Sequence, residues 1–260
     1  MTYTKLSRSI AGRTAIVTGA ASGMGRATAH LFASEGANVA VTDLDEQKCA
    51  EVVAEIAAEG HPGTARAWAL DVSDRDAIKT VIAAIGEAFG AIDILVNNAG
   101  FAIPADVAKE SYEESWGRSI EVMLSAHQRT IRAALPWLRK SDAPRIVNVA
   151  STEGLGATPG NSPYSAAKHG VIGLTRGLAV DLGREGITVN CICPGPIDTP
   201  LVSSIPDEHK QIFAKRRTAL RRYGIAEEVA HMTLSCVLPA ASFLTGTAIP
   251  VDGGLTIKNA

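Results

Sequence analysis

Short apolar runs alternate along the chain with longer stretches in which apolar residues recur at helical spacing. Continuous apolar runs of this length are typical of strands buried on both faces of a sheet. They cover residues 14–18, 38–42, 65–70, 92–96, 145–149, 188–192 and 248–251. The longer stretches predict helices over 23–36, 46–59, 74–89, 112–138, 164–182 and 227–237, with an irregular segment between 192 and 227.

The alternation of strands and helices predicts a parallel sheet of about seven strands with helices on both faces. Right-handed crossovers between successive strands produce a doubly wound, Rossmann-like α/β fold. No internal repeat, low-complexity tract or linker divides the 260 residues. We therefore predict a single domain over residues 1–260.

The composition narrows the classes of partner. Hydrophobic residues make up 46% of the chain, and the formal net charge is −2. This charge gives no reason to expect nucleic acid or an anionic membrane as a partner. The polar N-terminus lacks the apolar centre of a signal peptide, and no apolar run is long enough to cross a bilayer. A cytoplasmic location is the expectation.

Four cysteines, at positions 49, 191, 193 and 236, have no zinc-type spacing. We expect buried, reduced thiols and no metal site. Cys191 and Cys193 are expected on opposite faces of a strand.

A glycine-rich turn lies between the first predicted strand and the first predicted helix. It contains Gly19, Ser22, Gly23, Met24 and Gly25. Glycines there let backbone amides approach a phosphate closely, and the helix N-terminus favours negative charge. The alternative is a tight turn without a ligand, but the position after a first strand favours a dinucleotide site.

Asp43 ends the second predicted strand, eighteen residues beyond Gly25. A carboxylate there can accept hydrogen bonds from both hydroxyls of an adenosine ribose and would repel a 2′-phosphate. Neither Ser22 nor Leu44 supplies a cation to neutralise such a phosphate. The position predicts NAD rather than NADP, and the alternative role is an N-cap for the helix that starts near Asp45.

Tyr164 and Lys168 are four residues apart on a predicted helix, so both side chains lie on one face. A cation beside a phenol favours the phenolate and lowers the pKa of the tyrosine. Ser151 lies thirteen residues upstream. The pair can move a proton on or off a hydroxyl group.

In order along the chain, these features resemble the short-chain dehydrogenase/reductase family in its single-domain form. The resemblance covers residues 12–254. It rests on the turn 18–25, the stretch 97–100, Ser151 with Tyr164 and Lys168, Pro194-Gly195 with Thr199, and the stretch 251–254.

The resemblance implies an NAD-dependent alcohol dehydrogenase acting on a small secondary alcohol or the matching ketone. Tyr164 would be the general acid/base, Ser151 would orient the substrate oxygen, and Lys168 would lower the Tyr164 pKa and bind the nicotinamide ribose. The wider implied cofactor site includes Asp71 and Val72 at the adenine, Asn98, Ala99 and Gly100 near the central sheet, and Pro194, Ile197 and Thr199 at the nicotinamide end.

Two other functions stay open. One is an NADPH-dependent ketoreductase of acyl thioesters, and the other is a non-catalytic dinucleotide-binding protein. The second draws on one departure from the family pattern: Met123 stands where many members carry a catalytic asparagine that links the lysine to solvent. Ser119 and His127, one turn away on either side, are the nearest polar replacements.

The resemblance also implies a substrate lid at about 199–217 and a homotetramer. The helix from Trp116 and the Tyr164 helix would pack across a two-fold axis, with Ile131, Leu135 and Val171 as compatible positions. Glu153 is a candidate pocket residue, with a solvent-facing or arginine-paired carboxylate as the alternative. The basic run 215–217 either attracts an anionic substrate or forms a solvated helix face.

Overall fold

Seven parallel strands form the central sheet of the computed structural model, which describes residues 3–259. Their order is β3-β2-β1-β4-β5-β6-β9, with every neighbouring pair parallel. This order confirms the predicted doubly wound, Rossmann-like fold. The strands are β1 Thr14–Thr18, β2 Asn38–Asp43, β3 Thr64–Ala69, β4 Ile94–Asn97, β5 Arg145–Val149, β6 Thr188–Pro194, β7 Ile197–Asp198, β8 Gly224–Ile225 and β9 Ala248–Val251; β7 and β8 form a separate parallel pair.

Helices cover both faces of this sheet. Several of their ends follow from local chemistry: the Asp45 side chain accepts from Lys48 N at the start of α2, and Asp74 accepts from two amides at the start of α3. Gly90, at φ +80°, ends α3. The helices are α1 Gly23–Ser34, α2 Glu46–Ala58, α3 Arg75–Phe89, α4 Tyr112–Ile120, α5 Ala126–Leu138, α6 Ser162–Leu182, α7 Asp207–Arg217 and α8 Ala226–Val237.

Two predicted elements differ from the structure. The long helix predicted over 112–138 is divided into α4 and α5 by a π-helical turn, Glu121–Ser125. The segment predicted to be irregular contains β7, α7 and β8, and α7 is a helix of eleven residues. β7 and β8 could not be predicted because strands of two residues have no detectable period. α7 could not be predicted because it is polar around most of its surface and has no apolar stripe.

Alternate residues of the strands feed two cores, one on each face of the sheet. In β1, Ala15 and Val17 pack with the core that includes Phe32 of α1, whereas Ile16 packs on the opposite face with Ile82 of α3. Each face of the sheet therefore has its own apolar core.

The cores also correct two predictions. Cys191 and Cys193 lie in one buried cluster and so share a face of β6, because residues two apart on a strand point the same way. All four cysteines are buried and free, as predicted. Ile131 and Val171, considered for a subunit interface, are 1% and 0% exposed and belong to the chain's own core.

Within residues 3–259, no helix has the length and apolarity needed to cross a membrane.

Candidate active site

A cavity of about 830 Å³ opens at the carboxyl ends of the central strands. Ligands of doubly wound sheets bind at this edge, where the strand order reverses. Here the reversal lies between β1 and β4. Most of the predicted cofactor residues line the cavity: Gly19, Ser22, Gly23, Met24, Asp43, Asp71, Val72, Asn98, Ala99, Gly100 and Thr199.

The remaining predicted cofactor residues lie outside the cavity wall. Gly25 lies behind the turn, and a Cβ placed there would come 2.2 Å from Gly19 O. Pro194 ends β6 in register with Val251. Ile197 is 7% exposed. Tyr164 and Lys168 are not among the lining residues either.

Backbone shape explains the glycines of the turn. Gly19 has φ +65°, and a Cβ there would lie 2.8 Å from Ala99 Cα. Gly23 has φ +53° and faces Thr199. These positions reject side chains and bring backbone close to the cavity, which is the local geometry that a pyrophosphate needs.

Asn98 braces this turn as well as lining the cavity. Its Nδ2 donates to Thr18 O and Gly19 O at 2.9 and 3.1 Å. Thr18 Oγ1 in turn accepts from the amides of Asn98 and Ala99. The β4 end and the glycine turn are therefore held as one unit.

Asp43 lies on the cavity wall and is not a helix cap. Its Oδ2 accepts from Ala21 N at 3.1 Å, and its Oδ1 accepts from Leu44 N at 2.7 Å. The cap of α2 is Asp45 instead. The alternative role considered for Asp43 is thereby wrong, and its carboxylate is oriented by two backbone amides.

Ser151, Tyr164 and Lys168 come together beside Gly100. Lys168 Nζ donates to Val149 O at 2.8 Å and lies 5.6 Å from the centre of the Tyr164 ring. A Cβ at Gly100 would lie 3.8 Å from the same Nζ, which places the lysine against the cavity wall. Ser151, 8% exposed, lies two residues beyond the end of β5, and its hydroxyl is close enough to the Tyr164 phenol to influence the pKa of that phenol.

Burial shifts the pKa values of both Tyr164 and Lys168. It raises the pKa of Tyr164, and the neighbouring Ser151 hydroxyl only partly opposes this rise. Burial also lowers the pKa of Lys168 to about 8. The net direction for Tyr164 is the reverse of the one predicted from the Tyr/Lys spacing, because spacing carries no information about desolvation.

Met123 is fully buried in the π-helical turn and faces the same space as Lys168. The Cβ position at Gly100 lies 3.7 Å from Met123 Cγ. His127 is also buried, and burial together with the charge of Lys168 lowers its pKa to about 3. Among residues 3–259, its Nε2 has no hydrogen-bond partner.

Four buried polar side chains form a hydrogen-bonded series beneath the site that was not predicted from the sequence. Thr130 Oγ1 donates to Asn97 Oδ1 at 2.6 Å, and Asn97 Nδ2 donates to Asn148 Oδ1 at 2.9 Å. Asn148 Nδ2 then donates to Thr175 Oγ1 at 3.0 Å. The sequence does contain a feature that could have predicted it: β4 and β5 each carry an asparagine near the end of the strand, and the strand register places these two residues side by side.

Glu153 is neither turned to solvent nor paired with an arginine. Its carboxylate accepts from Thr158 N, Thr158 Oγ1 and Ser165 Oγ at 2.9, 2.5 and 2.8 Å. These bonds tie the loop after Ser151 to the first turn of α6, one residue beyond Tyr164. The side chain thus holds the loop after Ser151 against α6.

We expect Glu153→Ala to lower the free energy of unfolding by about 1–3 kcal/mol, because three donors lose their acceptor. The preference among substrates stays unchanged. Urea unfolding and kcat/KM ratios on two substrates measure both quantities, with Glu51→Ala, an exposed glutamate of α2, as the matched control. A changed ratio without loss of stability would show that Glu153 contacts substrate.

Two ion pairs anchor the segment that runs from β7 to α8. Lys210 of α7 pairs with Asp198 at 2.8 Å, and Arg222 pairs with Glu228 of α8 at 2.6 Å. The run 215–217 on α7 is exposed.

The sheet, the glycine turn and the cavity define a dinucleotide-binding protein of the Rossmann type. The family model described as "Enoyl-(Acyl carrier protein) reductase" matches residues 19–256. The chain belongs to the short-chain dehydrogenase/reductase family, whose members are oxidoreductases that use a nicotinamide dinucleotide.

Three relatives illustrate the similarity. A 3-oxoacyl-[acyl-carrier-protein] reductase, FabG, of Thermotoga maritima is 39% identical over 95% of this chain and 98% of its own length. A D-beta-hydroxybutyrate dehydrogenase of Rhizobium meliloti is 36% identical over 95% and 99%. The crystal structure of a dehydrogenase/reductase from Sinorhizobium meliloti 1021 superposes with a TM-score of 0.89 at 37% identity, covering 98% of each chain.

Proposed function

We propose that this protein is an NAD-dependent alcohol dehydrogenase that interconverts a secondary alcohol and its ketone. The observation that carries the proposal is the convergence of Ser151, Tyr164 and Lys168 beside the glycine-lined cavity. Named relatives act on hydroxybutyrate and on meso-2,3-butanediol, which are both secondary alcohols. We further propose a homotetramer in the cytoplasm, on the family resemblance alone.

The residues present fit a nicotinamide dinucleotide. Gly19 and Gly23 keep the turn free of side chains at positive φ, and the cavity runs from Asp43 past Gly100 to Thr199. Asp43 would hold the adenosine ribose, the turn the pyrophosphate, and Lys168 the nicotinamide ribose. When bound, the cofactor accepts or supplies the hydride.

Proton handling is the task of the chain's own side chains. In oxidation, Tyr164 Oη takes the proton from the substrate hydroxyl; in reduction, it returns a proton to the carbonyl oxygen. The Ser151 hydroxyl donates to that oxygen and stabilises the charge that develops on it. The Lys168 ammonium, held by Val149 O, favours the phenolate form when it is charged.

The acyl-thioester reductase stays the second candidate, because the FabG relative is a 3-oxoacyl-[acyl-carrier-protein] reductase. A cofactor screen separates the two functions. The purified protein is assayed with NAD and NADP on sugars, steroids, hydroxy acids and aryl alcohols, and with NADH and NADPH on an acyl thioester. Exclusive NADPH use with the thioester would replace the proposed function with the second.

Cofactor choice should depend on the charge of Asp43. We expect Asp43→Asn to shift the NAD-to-NADP ratio of kcat/KM toward NADP on the order of 10²-fold, because charged hydrogen bonds to the ribose weaken and repulsion of a 2′-phosphate disappears. Steady-state kinetics with both cofactors measure the ratio.

Asp45→Asn is the matched control, since Asp45 caps α2 and does not line the cavity. Its ratio should equal that of the wild type. Equal shifts in both variants would mean that general surface charge, not a ribose contact, sets the preference.

A further inference from the structure

Two imidazoles converge on one carboxylate on the face of the sheet covered by α1 and α2. His30 Nδ1 lies 3.0 Å from Glu59 Oε2, and His61 Nε2 lies 2.5 Å from the same oxygen. The three ligand atoms available from these residues lie within 4.8 Å of one another. His30 and His61 are largely shielded, with side chains 15% and 24% exposed.

The local fold brings these side chains together. His30 lies on the last turns of α1, and Glu59 is the residue that ends α2. Gly60, at φ +66°, reverses the chain so that His61 turns back toward Glu59. His30 therefore lies next to Glu59 and His61, although about thirty positions separate it from them in the sequence.

A second layer of side chains orients His30. Glu55 Oε2 lies 3.2 Å from His30 Nε2, and Arg26 holds the same carboxylate at 2.7 Å. A carboxylate on one ring nitrogen fixes the tautomer, so that the other nitrogen presents its lone pair. Here Glu55 can hold a proton on Nε2, which would leave Nδ1 available as a ligand atom beside Glu59.

We propose that His30, Glu59 and His61 bind a zinc ion. Two imidazole nitrogens and one carboxylate oxygen suit Zn²⁺, whereas Mg²⁺ and Ca²⁺ prefer all-oxygen sets. A tetrahedral ion about 2.1 Å from each ligand holds those ligands about 3.4 Å apart. Glu59 is 47% exposed, so its carboxylate is free to make that small adjustment.

The surroundings leave space for a fourth ligand. The three residues line a surface depression of about 300 Å³ that also includes His231 of α8. Solvent completes a three-residue zinc site of this kind. None of the ligands lines the cofactor cavity, so the zinc site is independent of the proposed reaction. A bound zinc ion would add a metal site to a chain whose sequence predicts none.

Zinc binding to the full chain tests the proposal. Protein stripped with EDTA and desalted is titrated with ZnCl₂ by calorimetry, and its thermal unfolding is followed with and without zinc. We expect one zinc per chain, a rise in Tm of several degrees, and visible d–d absorption when Co²⁺ replaces zinc. Glu55→Gln should weaken binding by about tenfold or more, as for other residues that orient a ligand.

Variants of the ligands supply the decisive comparison. His61→Gln and Glu59→Gln should weaken zinc binding by about 100-fold or more, whereas Glu51→Gln on the same α2 leaves it unchanged. Tm without zinc, measured for each variant, confirms that it folds. Wild-type protein with no zinc binding below about 1 mM would overturn the proposal, leaving simple histidine–glutamate pairs. Undiminished binding in both ligand variants would also overturn it.

Discussion

Tyr164→Phe should lower kcat by about 10²- to 10⁴-fold, the range that a positioned general acid/base contributes. Phenylalanine preserves the ring beside Lys168 and removes only the hydroxyl that exchanges the proton. Because burial raises the Tyr164 pKa, wild-type alcohol oxidation should also keep increasing with pH through the alkaline range, since the phenolate is the form that accepts the proton.

Cofactor binding separates loss of chemistry from loss of structure. Titration with NADH, followed by quenching of protein fluorescence, should yield nearly the same Kd for Tyr164→Phe and for the wild type. Tyr3→Phe is the matched control, because Tyr3 is 87% exposed and far along the chain from the site. Turnover of Tyr164→Phe within a few fold of wild type would remove Tyr164 from the mechanism.

Acid should destabilise the protein through His127. Its pKa is about 3 in the folded chain and near 6.5 when unfolded, so between these values the unfolded state binds more protons. Stability from the neutral imidazole is complete above pH 6.5 and is lost progressively as pH falls toward 3. At pH 5 the loss relative to pH 7 should be about 2 kcal/mol.

His127→Gln removes this titration and keeps a polar side chain in the buried position. The difference in the free energy of unfolding between pH 7 and pH 5, measured by urea denaturation, should therefore shrink by about 2 kcal/mol. His209→Gln, on the exposed surface of α7, controls for histidine substitution in general. An unchanged pH dependence in His127→Gln would mean that the imidazole does not lose its proton on folding.

Strands β1 and β5 were predictable because their burial is continuous. All five residues of β1 and of β5 are buried, and such runs are visible in the sequence without tertiary information. The start of β4 was placed two residues early, since Ile92 is apolar and buried but precedes the paired residues. Strand pairing, and not hydrophobicity, determines where β4 begins.

The candidate site was predictable where spacing along one element suffices. Tyr164 and Lys168 meet because four residues make about one helical turn. Contacts that depend on two elements were not predictable: the Asn97–Asn148 bond needs the β4–β5 register, and the role of Glu153 needs the path of its loop. The net pKa direction of Tyr164 needs the burial that the folded chain provides.

The pairing of β7 with β8 affects how easily the segment between these two strands can change in sequence and length. Ile197 pairs with Gly224 and Asp198 with Ile225, so the two ends of the intervening segment are held together by this separate two-stranded sheet. A segment whose two ends are paired in this way tolerates insertions and replacements. Lengthening it costs little closure entropy and displaces neither β6 nor α8. Under the proposed function, new substrate ranges could therefore arise by replacing residues 202–223, because Ser151, Tyr164, Lys168 and Thr199 all lie outside that range.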